Sequence, residues 1–175
     1  HTLNGRPNIL VFTGQPHDRE ELVQVAEWLS MGHGIVSFVQ LLPGVIGQMA
    51  GRGLRDTARR QIRAYIQDKH MAAFASAEIV PDFYTGAAIV AQAHGVGGLE
   101  PNTVLLGWSR SPEGRTSQMR LLDVLVRMRK SVLFLHMDHE DGYGKRKTID
   151  VWWRGRGRNA DLMLLLAHII AQHRD

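Results

Sequence analysis

The sequence predicts an α/β fold, an open parallel sheet with helices on both faces. Three observations lead there. Short apolar runs bounded by glycine or proline alternate with stretches whose apolar residues recur at helical spacing. The runs are apolar at consecutive positions, which suits strands covered on both sides, the situation of parallel sheets. The helical stretches between them supply the crossovers that parallel neighbours require.

Residues 8–13, NILVFT, lie between Pro7 and Gly14 and read as the first strand. After GQPH, Asp18 is placed to cap a helix, with Glu20 and Glu21 in the first turn, where the helix end is positive. Leu22, Val25, Ala26 and Leu29 form the apolar stripe, and MGHG at residues 31–34 stops the helix. Residues 35–42 read as a second strand, and the glycine-rich residues 43–53 as a loop. Residues 55–68 suit a helix with Ala58, Ile62, Tyr65 and Ile66 on one face. A third strand follows at residues 73–80, before Pro81. Asp82 is placed to cap a helix with the stripe Phe83, Ala87, Val90 and Ala91. Residues 103–107 make a fourth strand and residues 110–114 a polar loop. Helical periodicity returns over residues 117–130 through Leu121, Leu122, Leu125 and Met128, and residues 131–136 are the fifth strand.

The 175 residues, 44% apolar, suit one domain of common size. Without cysteine the chain has no disulfide framework and no thiolate metal site. No apolar run approaches the roughly 18–20 residues that cross a bilayer, and the polar residues 1–7 do not read as a signal peptide. The formal charge is +4, but the arginines cluster: Arg52, Arg55, Arg59, Arg60 and Arg63 in one stretch, then Arg154, Arg156 and Arg158 between glycines. Beside an anionic leaflet each such residue is worth roughly 1 kcal/mol; a solvated helix face explains the same pattern. No nucleic-acid motif accompanies the clusters, so nucleic acid is not an expected partner.

Catalysis finds little support. Ser37, Ser76, Ser109 and Ser131 lack a G-x-S-x-G elbow. The GVGGLE stretch lacks the last glycine of a dinucleotide fingerprint and leads into a strand. His136, Met137, Asp138 and His139 alternate in direction on a strand, leaving two ligands a side, too few for tight zinc. No enzyme activity and no metal are expected.

Three motifs carry a family resemblance. RPNILVFTG at residues 6–14, GVGGLEPNTVLLGWS at residues 95–109 and TIDVWW at residues 148–153 occur in that order. The chain resembles the cytosolic carboxy-terminal domain of the cation–chloride cotransporters, matching at Arg6, Pro7, Leu10, Val11, Gly95, Gly98, Asn102, Thr103 and Gly107, then through Ile149, Asp150, Val151, Trp152 and Trp153. The resemblance implies a domain like the universal stress proteins at residues 6–137. A linker follows at 138–147, then the first strand and helix of a truncated second α/β half at 148–175. Trp152 and Trp153 then sit at a seam between halves or protomers, or pack a core.

A universal-stress-protein-like sheet implies the strand order 3-2-1-4-5. Strands one and four are then neighbours whose helices leave on opposite faces, and ligands favour such a switch point. That places Thr13, Gly14, Gly107, Trp108 and Ser109 as candidate nucleotide or phosphate contacts, with ATP or ADP as the cofactor implied. Trp108 interrupts the usual Gly-Ser pair, and Thr13 stands where an acid is usual. Turn formation and close packing explain the same glycines. The function implied is a regulatory and dimerisation domain, on the cytoplasmic side of the membrane, of a transporter moving chloride with sodium and/or potassium. Its partners are its own transmembrane domain, a second copy and an anionic lipid surface. The alternative is a free-standing, nucleotide-binding universal-stress-like protein.

Overall fold

Four consecutive apolar side chains, Ile9, Leu10, Val11 and Phe12, are all buried in strand β1 (Asn8–Phe12). Neighbouring residues of a strand point to opposite faces, so this strand must be covered twice. The computed structural model describes residues 7–14, 20–30, 34–93 and 100–135. Within them β1 is followed by α1 (Glu20–Ser30), β2 (Ile35–Pro43), α2 (Ile46–Met49), α3 (Leu54–Asp68) and β3 (Ala73–Val80). Then come α4 (Phe83–Ala93), β4 (Thr103–Gly107), α5 (Pro112–Arg127) and β5 (Ser131–Leu135).

The five strands form one sheet in the order β3-β2-β1-β4-β5, with every neighbouring pair parallel. The expected order is met. Ile9 and Val11 join Phe38, Leu105 and Leu133 under α1 and α3, where Leu22, Leu29 and Ile62 complete a core. Leu10 and Phe12 join Val104, Leu106 and Phe134 under α4 and α5, against Ala87, Leu121 and Leu125. Burying each large aliphatic or aromatic side chain is worth about 1.5–3 kcal/mol. The two cores therefore hold the sheet from both sides.

At the amino edge, Asn102 stitches three strands together. Its Oδ1 accepts from Asn8 N at 3.1 Å and from Thr103 Oγ1 at 2.9 Å, while its own N–H donates to Asn8 O at 3.0 Å. Its carbonyl accepts from Ser131 N at 2.8 Å. Nearby, Lys130 is buried and donates from Nζ to Pro101 O at 2.8 Å. Burial pushes its pKa down, and the charge of Glu100 opposes that shift. Asn102, one of the positions in the family motif, thus serves the sheet rather than the ligand-facing edge.

Two stretches differ most from expectation. The loop read at residues 43–53 contains the single-turn helix α2, and β2 runs on to Pro43. The helix read from residue 117 begins at Pro112, so residues 110–114 are not all loop. Ser111 caps it, accepting from Gly114 N at 3.0 Å, and Pro112 takes a first-turn position that needs no donor. The expected cap at Asp18, the ends at residues 1–6 and 136–175, and the proposed linker and second half lie outside the described residues.

Asp82 caps α4, with Thr85 N donating to Oδ1 and Thr85 Oγ1 to Oδ2, each at 2.8 Å. The bond from the Thr85 backbone, then that from its hydroxyl, holds the Asp82 carboxyl below the usual aspartate range. A depressed folded-state pKa adds stability above the unfolded value, near about 3.9, and loses it as pH falls through the folded one. Asp82→Ala should therefore lower the melting temperature at pH 7. In thermal melts across pH, the gap to wild type should close as pH drops below about 4.

Candidate functional site at the switch point of the sheet

β1 lies between β2 and β4, and the helices that follow β1 and β4 cover opposite faces. The carboxyl ends of β1 and β4 are therefore the place where a crevice opens. Phe12 stands opposite Val39 and Leu106, so Thr13 falls beside Gln40 on one side and Gly107 on the other. The bond from Thr13 N to Val39 O, 3.0 Å, continues the ladder through this row. By strand alternation Thr13, Gln40 and Gly107 face α1 and α3, the side on which Leu135 is buried. Thr13 thus lies beside Gly107, which Trp108 and Ser109 follow, with Gly14 half-buried next to Thr13.

Several donors around this point are already engaged. Trp108 N donates to Leu135 O at 2.8 Å, extending β4 against β5. Its ring meets Phe134 edge-on at 5.2 Å between centroids, which fixes the aromatic residue that interrupts the Gly-Ser pair. Ser109 N donates to Gln118 Oε1 at 2.9 Å, and Gln118 Nε2 donates to Gly107 O at 2.7 Å. Ser111 N donates to Ser109 Oγ at 3.3 Å, and Ser111 O accepts from Arg115 N at 3.0 Å. A Cβ on Gly114 would land on Ser109 Oγ, so the absence of a side chain there makes the serine pair fit. A phosphate at the start of α5 would have to displace these bonds.

What stays unmet is different in kind. Thr13 Oγ1 and Gln40 Oε1 are buried and have no hydrogen-bond partner, and Thr13 is only 4% exposed. Buried polar atoms are normally satisfied by protein, water or ligand. The described part of the site therefore presents one hydroxyl and one amide oxygen, with no charged side chain paired to them. Gly95 and Gly98, and the tryptophans Trp152 and Trp153, lie outside the described residues. Among the described residues no group of three or more His, Asp or Glu side chains is placed to hold a metal ion.

Sequence reasoning missed Gln118, Gln40 and Ser111. Gln118 left a signal: it shares the apolar stripe of α5 with Leu121 and Leu125, and a buried amide there needs partners. Ser111-Pro112 is also a recognisable helix start.

The profile of solute carrier family 12 matches residues 19–131 of this chain. The chain belongs to solute carrier family 12. It is 30% identical over 128 residues to solute carrier family 12 member 2 of Mus musculus, and equally to that of Homo sapiens. Each alignment covers 73% of the chain and 10% of the relative, so this solute carrier chain corresponds to about a tenth of those relatives' length. In fold it is similar to the crystal structure of the cytoplasmic domain of a prokaryotic cation chloride cotransporter. The TM-score is 0.61 and identity 14%, over 95% of this chain and 62% of that one. The kinship with the cation–chloride cotransporters is met in sequence and in fold. A looser likeness, with TM-score 0.44 and 18% identity over 73% of this chain and 97% of the other, is to a universal stress protein from Archaeoglobus fulgidus. The strand order rather than that superposition places the fold.

Gln118→Leu should remove both bonds and strand Gly107 O and Ser109 N inside the protein. Leaving such groups unpaired costs about 1–3 kcal/mol each. Urea unfolding should therefore show a loss of that order, and an unchanged midpoint would mean that Gln118 does not hold the β4–α5 turn.

Proposed function

We propose that this chain is the cytosolic part of a secondary transporter that moves chloride together with sodium and/or potassium. Its role is to join protomers and to steady and regulate the transporting part, without coordinating the ions itself. The observation that carries the reading is the family match over a covered parallel sheet, with the aligned part spanning 10% of the relatives. No helix among the described residues is long and apolar enough to cross a membrane. A sheet braced by two cores is stiff enough to transmit force between neighbours. Its partners in this reading are its own membrane-spanning domain, a second copy meeting at Trp152 and Trp153, and the anionic cytoplasmic leaflet facing the arginine clusters. The chain then works on the cytoplasmic side of the membrane and is not an enzyme.

The reading is tested on two levels. Light scattering on the 175-residue chain should give a dimer, and replacing Trp152 and Trp153 together by alanine should give a monomer with unchanged circular dichroism. In the full-length transporter, reconstituted in vesicles, deleting residues 6–137 should reduce chloride-dependent uptake of rubidium or sodium. Undiminished uptake would remove the supporting role.

A second reading, a nucleotide at the switch point, has one observation in its favour: the unpartnered Thr13 Oγ1 beside Gly107. ATP or ADP bound there would satisfy that hydroxyl, at the expense of the bonds that Ser109 and Ser111 already make. Isothermal titration distinguishes the two. The scaffold reading expects no heat at millimolar ATP or ADP, whereas saturable heat abolished by Thr13→Val establishes the nucleotide site.

A further inference from the structure

Among the described residues β3 is one edge of the sheet. In a parallel ladder, successive residues aim their backbone groups alternately at the strands on either side. Gly44 N donates to Val80 O at 2.8 Å, and Pro43 stands opposite Val80. Ser76, Glu78 and Val80 therefore face β2, while Ala73, Ala75 and Ala77 turn their N–H and C=O outward. Such a row is a template for another strand unless something covers it.

Only its upper part is covered by a described contact. Arg55, from the first turn of α3, donates from Nε to Ala77 O at 2.8 Å and pairs with Glu78 Oε1 at 3.2 Å. Ser76 Oγ holds the same carboxylate oxygen at 3.0 Å. Arg55 thus wraps over the edge, from the face carrying α3 to the face carrying Glu78. α3 runs antiparallel to β3, since it connects two parallel strands. Four helical residues advance about 6 Å and two strand residues about 6.6 Å. Arg59 and Arg63 therefore come level with Ala75 and Ala73. Arg59 has only an exposed pair with Asp56, at 3.1 Å, and Arg63 is exposed with no ion pair among the described residues. On the other face Phe74 is 66% exposed.

The edge thus combines open backbone groups, cations on one face and an exposed aromatic ring on the other. A second copy pairing here would oppose arginines to arginines, which is unfavourable. We propose that the β3 edge at Ala73 and Ala75 docks an extended acidic peptide segment by strand addition. Its backbone bonds Ala73 and Ala75, its carboxylates meet Arg59 and Arg63, and its alternate apolar side chains cover Phe74. This surface is separate from the switch point and does not rest on the transport reading.

The probe is a fluorescein-labelled peptide of alternating glutamate and valine, titrated into the full chain and followed by anisotropy. Binding is expected, with amide exchange slowed at Ala73 and Ala75. Arg63→Glu should weaken it by about fivefold or more, and Ala75→Pro, which removes an outward donor, should weaken it as well. Circular dichroism checks that both variants fold, and exchange protection in the wild type gives a readout independent of them. A lysine–valine peptide should not bind. No binding overturns the proposal. So does equal binding of an acidic peptide interrupted by prolines, or of phosphatidylserine vesicles without protection at Ala73 and Ala75, since either would mark a diffuse cationic surface.

Discussion

The structure depends on one constraint: β1 carries apolar side chains at four consecutive positions and is buried on both faces. A strand of that kind cannot stand at an edge or face water on one side. It takes the centre of the sheet, with β2 and β4 as parallel partners, and each partner brings its helices to a different face. The two cores, the crossover connections and the switch point all follow from that placement. Asn102 secures the amino edge beside it by tying β1, β4 and β5.

At the carboxyl edge the fold makes a crevice and then largely fills its own demand for hydrogen bonds. Gln118 reaches from within α5 to both Gly107 and Ser109, acting as a rivet between strand and turn. Ser111 caps α5 internally, its Oγ accepting from Gly114 N. The remaining unpaired oxygens, on Thr13 and Gln40, are neutral. A closed turn suits a part that holds shape more than one that receives phosphate.

Much of this was legible in the residues. Strands stood out because Pro7, Gly14, Pro81 and Gly107 punctuate apolar runs, and Asp82 announced the start of α4. The start of α5 was hidden by Gly114, a poor helix former that is accommodated because Ser109 Oγ occupies its side-chain space. α2 is four residues long, too short for any periodicity to register. Arg55 looked like one cation in a solvated row; its partners lie twenty-two and twenty-three residues away, so no local pattern reveals the clasp. The switch point was placed correctly by topology, but its internal bonding depends on Gln118, whose role exists only once α5 lies on the sheet.

Two cores brace the sheet, and the turn at its switch point is bonded by its own side chains. Amide hydrogen exchange at Ser109 and Gly114 in the ligand-free protein measures this most directly. The account predicts strong protection at both, comparable with the strand amides of β4, because Gln118 and Ser111 accept from them. Exchange as fast as in an open loop would contradict it, leaving the start of α5 free to receive an anion.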